Sequence, residues 1–200
     1  LNPVLGLIAG QKFGPLRAAA FLGVALPLGT GGGNDPDKGA REALRVGAFT
    51  RSAMDNAMFA VNYLTVFPGI DIAYVAHGFT LQGEATLLEL VRARGDEVDA
   101  DETRTNLTLG LHAGYFVLKS LSLGAELRHQ RWLSTPTPIR VPGQRDTLRD
   151  NSTFALGPRF HIPLGPQRWV RPGVALTVPL DDPMADSKFR IVQLDVPFQF

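Results

Sequence analysis

Apolar and polar residues alternate through most of this chain, short connections alternate with long ones, and no apolar run is long enough for a spanning helix. Together these observations predict an all-β fold, a transmembrane antiparallel up-and-down β-barrel of about 8–10 strands. One long loop excursion, residues 29–67, would stand on one side of the membrane with room for a short helix. The 200 residues suit one domain, 1–200, and a single barrel fits that length. The longest weakly polar run, Ala18 to Gly29, falls short of the roughly 18 apolar residues that a spanning helix needs. A hydrophobic content of 44% also fits, because only the outward half of each barrel strand must be apolar.

Taken in order, Leu1 to Gly10 is apolar and glycine-containing, a candidate first strand before a turn at Gln11–Pro15. Leu16 to Leu28 reads as a strand, with Leu16, Ala18, Ala20, Leu22, Val24, Leu26 and Leu28 on one face and Arg17, Phe21 and Gly23 on the other. The breaker run GTGGGNDPD then opens the excursion. Within it, Asp35 to Arg45 could form a helix with Asp35 as N-cap and Pro36 at its first position, and Ala57 to Phe67 reads either as a second helix or as the upper part of the next strand.

From there the pattern is regular. Ile70–Ala76 and Thr80–Arg92 are strands joined by a tight turn at His77-Gly78, with Leu81, Ala85 and Leu87 outward. After the acidic stretch GDEVDADE come Thr105–Val117 and Ser120–Leu133, joined near Lys119. Asn151–Ile162 follows a loop rich in Pro, Arg and Thr; a turn at Leu164–Gln167 leads to Trp169–Val178, and a loop with Pro and Asp returns to the terminal strand. Starting at Leu16 gives eight strands and counting Leu1–Gly10 gives nine. Single-chain bacterial barrels have an even number, so the count points to a ten-strand parent whose first strand lies outside this chain.

The facing follows from charge. Arg17, Glu84, Glu126, Arg128, Arg159, Arg171 and Asp195 all fall on the less apolar side of their strands. An Arg at the bilayer midplane costs about 2–4 kcal/mol, and a one-residue slip would expose several of them at once. These residues are therefore expected to line the lumen. Arg131 and His129 share parity with Leu121–Leu127, but about ten residues climb roughly 26 Å in a tilted strand, which puts Arg131 at the upper edge of the apolar band. Glu89 is expected near the same rim.

The last stretch, KFRIVQLDVPFQF, places Val192, Leu194, Val196, Phe198 and Phe200 at every second position and stops on an aromatic residue. It resembles the C-terminal strand of bacterial outer-membrane β-barrels, the signal that their assembly machinery reads. The resemblance implies a location in the outer membrane of a Gram-negative bacterium. It also implies outer-membrane lipid, lipopolysaccharide and the barrel-assembly machinery as partners, with other envelope proteins as candidates. The short links would then be periplasmic turns and the long ones extracellular loops. A secretion signal would be required, and with no initiator Met at Leu1 a processed or truncated chain is expected.

Chemistry is sparse. With 20 Lys+Arg against 19 Asp+Glu, nothing points to a nucleic-acid partner, and without cysteine there is no disulfide framework, thiolate metal site or cysteine nucleophile. The lumen charges either neutralise one another or, through Arg128, Arg159 and Arg171, line a narrow conduit that favours anions. The acidic loop carries Asp96, Glu97, Asp99, Asp101 and Glu102, a weak metal candidate whose spacing is not that of an EF-hand. Among the histidines, His77 reads as a turn residue, His112 and His161 face inward, and His129 lacks the His-x-Ser pairing of the outer-membrane lipid A deacylases. Gly31–Gly33 has no phosphate-loop context. Tyr74, Tyr115, Trp132, Trp169 and Phe200 cluster toward strand ends, as headgroup-level belts do; core packing in a soluble barrel would place them there too.

The resulting expectation is a non-enzymatic outer-membrane β-barrel without cofactors, acting as an anchor or structural part of an envelope assembly or as a narrow polar-lined solute channel. The alternative is a soluble lipocalin-like barrel that binds an apolar ligand, with the same alternation turned inside out.

Overall fold

The computed structural model describes residues 2–29, 57–95, 101–137, 149–182, 185–186, 188 and 190–199. They fold as antiparallel β-structure: β1 (Val4–Phe13), β2 (Leu16–Ala25), β3 (Tyr63–Ala76), β4 (Phe79–Arg92), β5 (Thr103–Leu118), β6 (Leu121–Trp132), β7 (Asp150–Phe160), β8 (Ile162–Gly165), β9 (Arg168–Val170), β10 (Gly173–Pro179), β11 (Ile191–Asp195) and β12 (Phe198–Gln199). A 9-stranded sheet runs β1-β2-β3-β4-β5-β6-β7-β10-β11, and a 3-stranded sheet runs β12-β9-β8.

The small sheet continues the last three strands of the large one, and proline explains the break. Pro172 separates β9 from β10 and Pro197 separates β11 from β12, and a proline has no N–H to give a ladder. Their carbonyls still accept across the gap, from the amides of Phe160 and Arg171 at 2.9 Å each. Nine continuous ribbons result; the expected Leu1–Gly10 strand is found as Val4–Phe13, so Gln11–Phe13 belong to it and the turn narrows to Gly14–Pro15.

Connections are sorted as the sequence predicts. Two-residue turns at Gly14–Pro15, His77–Gly78, Lys119–Ser120 and Pro166–Gln167 lie at one end, and the strand ends that bound the connections 26–62, 93–102, 133–149 and 180–190 lie at the other. His77 and Gly78 have φ of 52° and 78°, the paired left-handed residues that match the twist of a tight hairpin.

Three expectations are corrected. The sheet is not closed into a barrel: among the described strands, β1 pairs only with β2 and β11 only with β10. Nine ribbons that alternate in direction leave the first and last pointing the same way, so the antiparallel pairing used everywhere else cannot join them. The long excursion ends earlier than residue 67, because β3 starts at Tyr63 and runs through Pro68. Pro68 is accommodated where the β3–β4 ladder skips from Val66↔Glu89 to Gly69↔Thr86 while the pairing with β2 continues. Ala57–Phe59 forms a helical turn before it, whereas the helix expected over 35–45 falls outside the described residues. Finally, Trp132 packs inward against the core instead of joining an outward belt.

That core lies on the inner face at the long-loop end. Ala25, Ala57, Tyr63, Phe67, Leu88 and Leu90 are all buried there, with Val4, Phe21, Ala60 and Trp132 packed around them. Arg17 of β2 and Arg171 next to β9 line one recess, which shows the sheet to be curled. Two glycines make room for the core cluster. The Phe67 ring lies over Gly23, opposite it on β2, and the Phe21 ring lies over Gly69, opposite it on β3; a Cβ on either glycine would come within 2.2 Å and 2.1 Å of those rings.

Candidate functional site

The outer face is a band of side chains that no other described residue covers. Leu7, Leu22, Ile72, Leu111, Leu156, Leu176 and Leu194 all project from it, with exposures from 48% for Leu22 to 80% for Leu7. At the short-turn end the band finishes in exposed aromatics, Phe13, Tyr74, Phe79, Tyr115 and Phe160, neighbours along the pairing register or close to it. At the long-loop end it finishes in polar pairs. Thr105 Oγ1 donates to Glu89 Oε2 at 2.7 Å, and Arg131 Nη1 donates to Asp150 Oδ2 at 3.3 Å. Arg131 and Glu89 therefore sit at the rim, as the parity argument requires.

The inner face below the core is polar. Arg17, Glu84, Glu126, Arg128, Arg159, Arg171 and Asp195 all belong to it, and the fold brings most of them together. Arg128 Nε donates to Glu126 Oε1, and its Nη1 lies 3.8 Å from Glu84 Oε1. Arg159 Nη2 donates to Asp195 Oδ2 at 2.6 Å, and Arg171 Nη2 donates to Gln199 Oε1 at 2.6 Å. Arg17 lines a recess shared with Asp71, His161 and Arg171. A cavity of about 430 Å³ runs past Gln82, His112, Glu126, Arg128, Arg159 and Asp195. Two of the three arginines expected to favour anions are thus already held by carboxylates, which supports mutual neutralisation.

Of the acidic loop, Asp96, Glu97 and Asp99 fall outside the described residues. Asp101 turns inward and is committed elsewhere: its carboxylate accepts from the Thr137 amide at 2.7 Å and Thr137 Oγ1 at 2.5 Å, and pairs with Arg104 Nη2 at 3.0 Å. Burial alone would raise its pKa, but the hydrogen bonds from Thr137 and the charge of Arg104 outweigh it and hold the carboxyl below the usual carboxylate range. Glu102 is exposed and contributes its backbone carbonyl to the Arg92 amide at 2.7 Å. Asp101 serves as a clasp between two long connections.

Two His–Ser contacts escape sequence reading because they need the cross-strand register. On the inner face, Ser122 Oγ lies 2.9 Å from His161 Nε2, and the Phe116 ring packs against the same imidazole at a 41° tilt, 4.6 Å between centroids. At the outer rim, Ser152 Oγ lies 2.9 Å from His129 Nδ1, and His129 Nε2 lies 3.6 Å from Asp150 Oδ1. The second grouping has the residue types of a hydrolytic triad at a looser spacing. The 3.6 Å contact exceeds hydrogen-bond length, Asp150 is shared with Arg131, and the Ser152 amide donates to Asp181 Oδ1 at 2.8 Å. His161 shares its recess with Arg17, Asp71 and Arg171, and the Phe116 ring lies beside it. His112 Nδ1 lies 3.9 Å from Glu126 Oε2, so the two inward histidines take separate partners.

The terminal stretch keeps its alternation in two pieces. Val192 and Leu194 project outward from β11, Val196 precedes the Pro197 break, Phe198 of β12 is exposed opposite Val170, and Phe200 falls outside the described residues. No family model matches the chain, and no curated protein or solved structure matches it.

Proposed function

We propose that this protein is a non-enzymatic β-barrel of the bacterial outer membrane that serves as an anchor or structural part of an envelope assembly. The observation that carries the reading is the outer face: leucine, isoleucine and valine at alternate positions on strand after strand, aromatic at one edge and charged at the other. Monomeric soluble proteins rarely expose so continuous an apolar surface. From Leu107 to Tyr115 on β5, eight steps of about 3.4 Å at a tilt near 40° span roughly 21 Å, close to the ~25 Å apolar band of membrane barrels. Outer-membrane lipid and lipopolysaccharide would meet this surface, and the alternating terminal stretch suits recognition by the assembly machinery. Fractionation of cells expressing the full-length protein tests it: recovery in the outer-membrane fraction is expected, and recovery in buffer without detergent would overturn it.

The anchor is favoured over the channel by the core at the long-loop end. Leu88 is fully covered and Tyr63, Leu90 and Phe67 nearly so, which fills the inner face where a conduit would have to pass. No unitary currents are expected in planar bilayers; steady anion-selective currents would restore the channel. The long His129–Asp150 contact supports the non-enzymatic reading, and fluorophosphonate labelling of Ser152 would contradict it.

A further inference from the structure

We infer that the gap between β1 and the β11–β12 ribbon is filled by one additional strand of the protein's own polypeptide, lying N-terminal to β1 and antiparallel to both edges. The inference deepens the membrane-barrel reading and rests on it.

Direction is the first argument. β1 runs from the long-loop end, where Val4 faces Ala25, to the short-turn end, where Phe13 faces Leu16. β11 also starts at the long-loop end, where Ile191 faces Thr177, and its continuation β12 finishes beside Trp169 near the Pro166–Gln167 turn. The two edges are parallel to each other. A single strand antiparallel to both completes the pattern, whereas two would leave one parallel neighbour.

Side-chain cover is the second. On the interior strands, outward aliphatics such as Ile72, Leu111 and Leu156 are 49–57% exposed, each flanked by neighbours on both sides. On the two edges the values rise to 80% for Leu7, 76% for Leu194 and 67% for Val192. The excess is not confined to the outer face, since inward Ile8 is 75% exposed. An adjoining strand covers both faces at once, whereas lipid would cover only one. Among the described strands, β1 and β11 each pair on one side alone, and lipid cannot satisfy the backbone groups of the other side.

Chain entry selects the occupant. Asn2 is buried at the long-loop end, its Nδ2 donating to the Ala60 carbonyl at 2.9 Å, its Oδ1 accepting from the Gly29 amide at 3.1 Å and its own amide donating to the Met58 carbonyl at 2.8 Å. The polypeptide is thus fixed at the end from which a strand antiparallel to β1 would deliver it. The far edge is held by its own neighbour: after the Pro197 break Phe198 and Gln199 pair with β9, the Pro197 carbonyl accepts from the Arg171 amide at 2.9 Å, and Gln199 Oε1 accepts from Arg171 Nη2 at 2.6 Å. The occupant is expected to be about ten residues long, the length of β1, with apolar side chains at alternate positions beside Leu7 and Leu194.

The test places the photocrosslinker p-benzoylphenylalanine at Ile8 or at Gln193, one at a time, in the full-length protein in intact cells. Both positions face inward on the edge strands and have open space beside them. Irradiation is expected to join each to the same tryptic peptide upstream of Leu1, with a shift in gel mobility and no gain in subunit mass. A direct link between residues 8 and 193, a doubled mass from a second copy, a link to a different protein, or no link at either position would each overturn the proposal. Fractionating the same samples separates the two readings: an upstream link found in soluble protein would overturn the membrane assignment and leave the strand in place.

Discussion

Arg159 and Asp195 meet across an intervening strand that has no side chain at the crossing point. Arg159 Nη2 reaches Asp195 Oδ2 at 2.6 Å over Gly173 of β10, which pairs with Asp195 on one side and Arg159 on the other. A Cβ on Gly173 would lie 2.7 Å from Asp195 Oδ1 and 3.4 Å from Arg159 Nη2. Gly173→Ala should therefore act much as Asp195→Asn does. Both side chains are more than a third exposed, so each change is expected to cost about 1 kcal/mol or less. The double variant should lose little beyond the worse single one, because both remove the same contact. Urea titration of the protein in liposomes checks this; fully additive losses would show that Gly173 matters for another reason.

Facing predicts an asymmetry between the middle of the outer band and its rim. Leu111→Arg should destabilise by about 2–4 kcal/mol in a bilayer, whereas Arg131→Leu should change stability by no more than about 1 kcal/mol. Equilibrium unfolding in liposomes reads both. Equal effects at the two positions would mean that the band does not lie across hydrocarbon.

The inner core is expected to dominate stability. Leu88 is fully covered among Phe67, Leu90 and their neighbours, and Leu88→Ala should cost about 2–5 kcal/mol. Gly69→Val should be comparably damaging, because its side chain would have to displace the Phe21 ring. Tyrosine and tryptophan fluorescence during unfolding follows both variants. Loss below about 1 kcal/mol at Leu88 would mean that the cluster collapses freely.

Acid should open the Asp101 clasp late. The folded-state pKa lies below the unfolded value, so the stabilisation is complete above the unfolded value, near pH 4, and is lost as pH falls through the folded one. The Thr137 amide, which donates directly to this carboxylate, reports it. Its NMR shift should stay constant from pH 7 to about 4.5 and move only below about 4. Asp101→Asn should leave that resonance insensitive to acid; a transition near neutral pH would contradict the assignment.

Much of this architecture was legible because a strand has a period of two. Leu107–Tyr115 and Leu121–Leu127 announce their faces from spacing alone, and two-residue links such as His77–Gly78 announce the reversals. Residues 63–67 were harder: Tyr63, Thr65 and Phe67 are buried on the inner face, and Pro68-Gly69 looks like an ending when only one of two ladders is interrupted. Relations between distant strands were the least visible. His129 beside Ser152, Trp132 within the core, and the shared direction of β1 and β11 all depend on register or on a count of strands, which no local window contains.

The inner face has two halves of opposite character, aliphatic and aromatic near Leu88 and ionic near Arg128. Water that follows the charges inward from the tight hairpins would meet a dry wall partway along. If the proposed extra strand closes the sheet, an ion that enters from the hairpin end would meet that wall and leave by the mouth it used.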